Sequence, residues 1–204
     1  MTLSGLPGSG TSTVARMVAG DLGVDHLDGG TVFRAMAAER GLALAAFARL
    51  AETDDTIDRT LDDRLARRAS EGGVVVESRL AGWLAERAGL AGLRVWLACD
   101  DRERARRVGA RDGHGLDDAI AANRAREASE QARYRAYYGI DLTDLSPYHL
   151  VLDSTTTAPA MLAGTIVEAA PAAQGEGPRP EPAVSRPVTS GRRSTARSGR
   201  GDHR

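Results

Sequence analysis

Near its start the chain reads GLPGSGTST at residues 5–13, and this stretch decides the fold. It follows a short apolar segment, Met1 to Leu3, that we predict to be a β-strand, and it leads into residues 13–19, which have helical spacing. A strand, a glycine-rich loop and a helix in this order are the context of a phosphate-binding loop. The glycines let successive N–H groups point inward, and the positive end of the helix adds to the attraction for a polyphosphate.

The loop departs from the usual pattern at one position. In G-x-x-x-x-G-K-[ST] a lysine reaches the transferring phosphates and the next hydroxyl binds magnesium. Gly5 and Gly10 fit and Ser12 occupies the magnesium-ligand position, but Thr11 replaces the lysine. All 27 basic residues are arginine, so no lysine elsewhere can take this role. For the loop by itself the alternative is a helix N-cap after a flexible turn, because Ser and Thr are favoured caps.

Length and composition are those of one globular domain. The chain has 204 residues, of which 42% are hydrophobic and 27% charged. No apolar run of about 18 residues and no signal peptide are present in the sequence, so we expect a cytoplasmic protein without a membrane partner, and a monomer. Cys99 is the single cysteine, which excludes an intrachain disulfide and a cysteine-based zinc site. The four scattered histidines, among them His26, are interpreted as surface or packing residues rather than metal ligands.

The composition changes near Pro171. Residues 171–204 are rich in Pro, Gly, Ser, Thr and Arg and poor in large apolar residues, so we predict a disordered tail after a domain at residues 1–170. Seven arginines against three carboxylates make this tail basic, so it is the segment that could bind RNA or an acidic partner electrostatically. It lacks aromatic residues that would stack on bases, so nucleic acid is not the expected partner.

A second motif follows the predicted strand at residues 24–27. It reads Asp28-Gly29-Gly30-Thr31-Val32-Phe33-Arg34, in which Asp28 or Thr31 would cap a helix. Arg34 lies one turn into that helix, just beyond a strand end, where open α/β sheets bind ligands. The alternative for Arg34 is a solvated charge on the helix surface.

A third motif begins with three consecutive valines, Val74 to Val76, which run into Glu77. Such a run is typical of a parallel strand buried on both faces. Glu77 at its end can orient magnesium through its waters, and Arg79 can bind a phosphate bidentately. The alternative is a strand-end salt bridge between Glu77 and Arg79.

The remaining elements continue an alternation of strands and helices. We predict helices at residues 44–50 and 57–68, a strand at 93–98, a helix from 116 to about 137, a strand at 150–153 and a helix from 154 to 167. Strands that alternate with helices form βα units, and we therefore predict an α/β fold with a mostly parallel sheet.

The long helix carries a fourth candidate set. Arg126, Glu130 and Arg133 fall at i, i+4 and i+7, so their side chains share one face. They form either a salt-bridge ladder worth a few tenths of a kcal/mol or a pair of arginines that neutralises charge on a transferring phosphoryl group.

Five segments, in this order and spacing, resemble the archaeal-type branch of the cytidylate (CMP) kinases. They are residues 5–13, 28–34, 74–83, 126–134 and 138–141. The resemblance covers about residues 1–170 and is specific because five separated motifs agree; it does not cover the tail. It implies a P-loop nucleoside-monophosphate kinase: a three-layer α/β fold with a five-stranded parallel sheet, a helical monophosphate-binding region and a helical lid at about residues 108–137.

The implied reaction transfers the γ-phosphoryl group of ATP to CMP or dCMP, with Mg²⁺ as cofactor. ATP and CMP or dCMP are the implied partners. Two alternatives stay open at this point. One is a kinase of the same fold that acts on AMP, UMP or a non-nucleotide acceptor. The other is a non-catalytic nucleotide- or RNA-binding protein, which the missing lysine and the basic tail would fit.

The resemblance also implies the roles of individual residues. Those that would bind the ATP phosphates are Gly5, Gly8, Ser9, Gly10, Thr11, Ser12 and Thr13. Those that would bind the acceptor substrate are Arg34, Arg79, Gly30 and Glu130, of which Arg34 and Arg79 would hold its monophosphate. The implied catalytic residues are Arg126, Arg133 and Glu77, and Ser12 and Glu77 are the implied magnesium ligands.

Overall fold

A computed structural model describes residues 1–170, in which eight helices alternate with five strands. The strands are β1 (Thr2–Gly5), β2 (Asp25–Asp28), β3 (Val74–Glu77), β4 (Arg94–Ala98) and β5 (Leu150–Asp153). The helices are α1 (Thr11–Leu22), α2 (Gly29–Glu39), α3 (Leu44–Ala51), α4 (Asp55–Ser70), α5 (Ala81–Arg87), α6 (Asp101–Asp112), α7 (Leu116–Tyr138) and α8 (Pro159–Ala169). The predicted disordered tail lies outside the described residues.

The five strands form one parallel sheet in the order β2-β3-β1-β4-β5. Parallel neighbours need crossover connections, and helices supply them here. The predicted five-stranded parallel α/β fold is therefore confirmed. Because β1 lies at the centre, with β3 on one side and β4 on the other, the chain after β1 emerges at the crevice where such sheets bind ligands.

The two faces of the sheet are covered by different helices. On one face Leu3, Val75 and Val95 pack with α1 and α8 in the largest apolar cluster. On the other face Val74 and Val76 pack against α4 and the start of α5. Successive side chains of a strand point to opposite faces, so three valines in a row serve both layers.

Helices α2, α3 and the start of α4 form a second apolar cluster beside the sheet. Its centre is Phe47, which is fully buried and contacts the ring of Phe33. Asp28 caps α2 through the backbone N–H groups of Gly30 and Thr31, and Asp54 caps α4. Of the two predicted caps for α2, the structure shows Asp28.

Two helices, α5 and α6, were not predicted from the sequence. The face that α6 buries consists of Arg104, Ala105, Val108 and Gly109, so it shows hardly any apolar periodicity. Helix α5 has only seven residues and no side-chain cap in the described part of the chain. Within residues 1–170, no helix is both long and apolar enough to cross a membrane.

Candidate active site

The loop between β1 and α1 is held in one shape by its glycines. Gly8 and Gly10 have φ values of 85° and 88°, which favour glycine, and Gly10 is the N-cap residue of α1. A Cβ at Gly8 would lie 2.5 Å from the carbonyl oxygen of Arg104, so α6 packs directly on the loop. Among residues 1–170 no side chain caps α1, which leaves its N-terminal N–H groups to a ligand. This is the geometry of an anion-binding loop.

Ser9 and Thr11 fix the loop from within. Ser9 is fully buried, and its carbonyl oxygen accepts a 2.7 Å hydrogen bond from the hydroxyl of Ser154, just after β5. The methyl group of Thr11 lies 2.9 Å from where a Cβ on Gly5 would be, so Thr11 folds back over the start of the loop. Its side chain carries no charge, so it cannot replace the positive charge of a lysine at this position.

Ser12 and Glu77, predicted to bind magnesium, lie in contact. The hydroxyl of Ser12 at the start of α1 donates to Oε1 of Glu77 at the end of β3, over 2.7 Å. Glu77 is 6% exposed, and its other oxygen, Oε2, lies 3.1 Å from Nε2 of His26 on β2. The sequence places His26 among the surface or packing residues rather than metal ligands, and the structure adds its contact with a buried carboxylate 51 residues away, for which the sequence gives no local signal. The alternative of a Glu77–Arg79 salt bridge is not what the structure shows.

The oxygen atoms of Ser12 and Glu77 fit a magnesium ion by their chemistry. Mg²⁺ prefers hard oxygen ligands and is usually bound by one or two protein groups together with substrate phosphates. No cluster of three or more His, Cys, Asp or Glu side chains suited to a metal occurs in the described part of the chain.

Arg34 lies at the mouth of the crevice on α2. Its Nη2 donates to Thr31 Oγ1 over 2.7 Å and to Asp28 Oδ2 over 3.3 Å. Its side chain is more than half exposed, so a ligand can reach it. Gly30 makes room for it, because a Cβ at that position would lie 3.3 Å from Arg34 Nη1.

Arg79, Glu130 and Arg126 form one charged cluster. Glu130 on α7 accepts from Arg79 Nε over 2.7 Å and from Arg126 Nε over 2.8 Å. Burial by itself would raise the pKa of Glu130, but the charges of Arg79 and Arg126 lower it to about 2. Arg79 also donates to the carbonyl oxygen of Gly5, which ties α7 to the loop. Arg126 keeps 57% of its side chain exposed, so it faces solvent and remains accessible.

Arg133 does not join this cluster, although it shares the helix face. Its Nε donates to Asp58 Oδ2 on α4 over 2.9 Å, and both side chains are buried. One turn along each helix, the hydroxyl of Tyr138 donates to Asp62 Oδ2 over 2.6 Å. The predicted ladder is thus half correct: Glu130 pairs with Arg126, whereas Arg133 connects α7 to α4.

Two arginines beside the loop were not selected from the sequence. Arg104 is 2% exposed, and its Nη1 donates to the carbonyl oxygen of Pro7 over 3.2 Å, while Glu127 and Asp101 balance its charge. Arg107 donates to the carbonyl oxygen of Ser154, and its Nη1 lies 3.7 Å from where a Cβ on Gly10 would be. Their i, i+3 spacing in an Arg-rich segment was visible, but it does not distinguish them from the other arginines there.

The parallel sheet and the anion-binding loop at the start of α1 define a protein of the P-loop α/β fold. Solved structures with this fold include shikimate kinase from Acinetobacter baumannii, with a TM-score of 0.53 and 17% identity, covering 82% of this chain and 89% of that one. A gluconokinase from Sinorhizobium meliloti 1021 has a TM-score of 0.52 and 18% identity, covering 82% of this chain and 88% of that one. At such identities the likeness shows the fold.

Sequence comparison identifies the family. The model of the cytidylate kinase-like family matches residues 1–156, and the chain belongs to this family. It is 41% identical over 159 residues to a cytidylate kinase from Pyrococcus horikoshii, covering 78% of this chain and 81% of the relative. It is 45% identical over 157 residues to one from Aeropyrum pernix, covering 75% and 88%. The resemblance to archaeal cytidylate kinases is thereby confirmed.

Proposed function

We propose that this chain is a cytidylate kinase, which transfers the γ-phosphoryl group of ATP to CMP or dCMP and yields ADP and CDP or dCDP. The observation that best supports this is the pair of contacts that flank the loop. Ser12 contacts Glu77 on one side, and Arg79 contacts Gly5 on the other. A magnesium-type pair of oxygen ligands and a phosphate-binding guanidinium thus meet at one loop, in a chain 41% to 45% identical to proteins named cytidylate kinase.

On the donor side, the loop would hold the ATP phosphates through its backbone. The curled shape set by Gly8 and Gly10 and the uncapped start of α1 supply N–H donors for this. Ser9, Thr11 and Thr13 complete the loop, and Ser12 and Glu77 would hold Mg²⁺. When bound, the ion would neutralise charge on the phosphates.

On the acceptor side, Arg34 and Arg79 would bind the monophosphate. Arg34 is accessible at the crevice, and Gly30 leaves space beside it. Arg79 enters the crevice from the end of β3, and Glu130 holds its guanidinium in place. Guanidinium groups bind phosphate with two parallel hydrogen bonds, so a fixed orientation favours one position of the acceptor.

The transfer itself needs positioning and charge neutralisation rather than a covalent enzyme intermediate. An acceptor phosphate oxygen forms a bond to the γ-phosphorus, and the bond from that phosphorus to the bridging oxygen of ADP breaks. Arg126, exposed and held at its Nε by Glu130, has free N–H directions to stabilise the transferring group. Arg133 can act in the same way only if it shares its guanidinium between Asp58 and the nucleotide.

Because Thr11 stands where other P-loops have a lysine, arginines must supply the positive charge near the phosphates. Thr11 supplies none, whereas Arg79 contacts Gly5 and Arg107 lies beside Gly10. Both guanidinium groups are fixed by protein partners before any nucleotide binds. We infer that these two residues, with Arg126, balance the triphosphate charge in this chain.

A coupled assay of ADP production tests the proposal. The full chain is given ATP and Mg²⁺ with CMP, dCMP, UMP, AMP or no acceptor, and we expect turnover that depends on CMP or dCMP. Turnover with AMP, UMP or a non-nucleotide alone would favour the kinase of another acceptor. ATP binding without turnover on any acceptor would favour a non-catalytic nucleotide-binding protein; the basic tail that motivated an RNA-binding role lies outside the described residues.

The variant Arg126→Ala tests the assignment of the transfer step. We expect it to lower turnover by about a hundredfold or more, the range seen when a key charge stabiliser is lost. Arg124→Ala is the matched control, because Arg124 lies on the same helix and is exposed. Near-normal turnover of Arg126→Ala, or an equal loss in both variants, would contradict the assignment.

A further inference from the structure

His26 makes a contact that the proposed mechanism has not used. It lies on β2, the strand next to β3, where Asp28 is the register partner of Glu77 and His26 is the partner of Val75. Residues two apart on a strand share a face, so His26 lies on the same face of the sheet as Glu77, one step further from the crevice. That face is covered by α1, whose first turn carries Ser12.

The carboxylate of Glu77 is held at both oxygens. Oε1 accepts from the hydroxyl of Ser12 and Oε2 faces Nε2 of His26. A carboxylate accepts hydrogen bonds and does not donate them, so a hydrogen bond in this pair requires the proton of His26 on Nε2. With one partner on each side, the carboxylate cannot rotate away from Ser12 without losing a hydrogen bond in a buried place.

Apart from this contact, His26 contributes little to the packing of the described core. Its side chain is 17% exposed, and the strand it occupies is at the edge of the sheet. It belongs to none of the apolar clusters that form the described core. The main contact of the His26 side chain is therefore its hydrogen bond with Glu77 Oε2.

We propose that His26 is a positioning residue that keeps the Glu77 carboxylate directed at the cation site beside Ser12. The inference rests on the proposed function, because it takes the Ser12–Glu77 pair as the protein's contribution to binding magnesium with ATP. Groups that orient metal ligands in this way commonly contribute a factor of ten to a hundred to metal affinity.

Calorimetric ATP binding tests this without relying on activity. The full chain is titrated with ATP in EDTA and then in Mg²⁺, and the ratio of the two dissociation constants gives the magnesium-dependent gain. We expect His26→Met to reduce that gain about tenfold and to leave binding in EDTA unchanged. His26→Gln is the matched variant, since its amide N–H can replace Nε2, and we expect it to retain most of the gain.

A double-mutant cycle shows whether His26 acts through Glu77. In the Glu77→Gln background, His26→Met should cause no further loss of the magnesium-dependent gain. Equal losses in His26→Met and His26→Gln, an unchanged gain in His26→Met, or additive losses with Glu77→Gln would each overturn the inference. A wild-type chain that does not bind ATP would instead overturn the proposed function, and the inference with it.

A measurement on the unsubstituted chain covers the case in which His26→Met does not fold. Nitrogen-15 NMR of the imidazole groups identifies which ring nitrogen carries the proton. We expect the His26 proton on Nε2. A proton on Nδ1 with Nε2 bare would overturn the inference, because Nε2 would then have nothing to donate to Glu77.

Discussion

Replacing Asp62 by asparagine should make the protein more stable at alkaline pH. Asp62 on α4 is 8% exposed and accepts a hydrogen bond from the hydroxyl of Tyr138 on α7. Burial raises its pKa from 3.8 to about 7, although the Tyr138 hydrogen bond opposes this, and the nearby charges of Asp58 and Asp63 raise it further. The unfolded chain loses this proton near pH 4, whereas the folded chain keeps it until about pH 7.

The sign and the size of the effect follow from linkage. Between pH 4 and 7 the folded state binds more protons than the unfolded state, so stability is highest on the acid side and falls as the pH rises to about 7. At about 1.4 kcal/mol per pKa unit, the difference between 3.8 and about 7 corresponds to roughly 4 kcal/mol, an upper bound. Asparagine keeps an acceptor for Tyr138 but carries no charge, so its gain should grow as the pH rises from about 4 to about 7 and stay constant above that.

Urea unfolding at pH 4.5 and pH 8 measures this directly. We expect Asp62→Asn to raise the free energy of unfolding by about 1 to 4 kcal/mol at pH 8 and by less than about 1 kcal/mol at pH 4.5. The exposed neighbour Asp63 supplies the control: Asp63→Asn should change stability by less than about 0.5 kcal/mol at either pH. A gain from Asp62→Asn that is the same at both pH values, or a loss at pH 8, would refute the reasoning.

Two further substitutions test the loop and the link between α7 and α4. Gly8→Ala should abolish ATP binding in calorimetry, because it places a side chain at a left-handed φ and against the carbonyl oxygen of Arg104 on α6. Gly20→Ala, in the last turn of α1 where an added Cβ has no neighbour within 4 Å, should leave ATP binding unchanged and should stabilise the fold by up to about 1 kcal/mol. Asp58→Ala should destabilise by about 3 to 5 kcal/mol because it leaves Arg133 buried without its partner, whereas Asp55→Ala, which breaks an exposed pair, should cost less than about 1 kcal/mol in urea unfolding. Similar results for the two members of either pair would contradict the assignments.

The sequence was sufficient for the sheet and the loop because their signals are local. The valine run before Glu77 and the glycine loop before Ser12 each lie within one stretch of chain, and their spacing already implied buried strands and an anion site. That two such stretches meet also follows from topology, since the carboxyl ends of parallel strands share one edge. The Ser12–Glu77 contact joins residues 65 apart for this reason.

The sequence does not predict which charged residues pair with one another in the fold. Arg126 lies four residues before Glu130 and Arg133 three residues after it, and both spacings allow an ion pair on a helix. Arg133 nevertheless pairs with Asp58, 75 residues away on α4. With only arginine as the basic residue, the chain gives no compositional clue to which guanidinium groups are buried. The lid boundaries at residues 108–137, the tail, the monomeric state and the cytoplasmic location stay predictions.

The most direct test of the account is to follow the phosphoryl group itself. The full chain is incubated with ATP labelled in the γ-phosphate, Mg²⁺ and CMP, and the labelled products are separated by chromatography. The account predicts that the label appears in the β-phosphate of CDP, in equal amount to the ADP formed and with little free phosphate, since the crevice must exclude water for transfer to dominate. Label found only in free phosphate, or ADP formation that does not change when CMP is added, would contradict it.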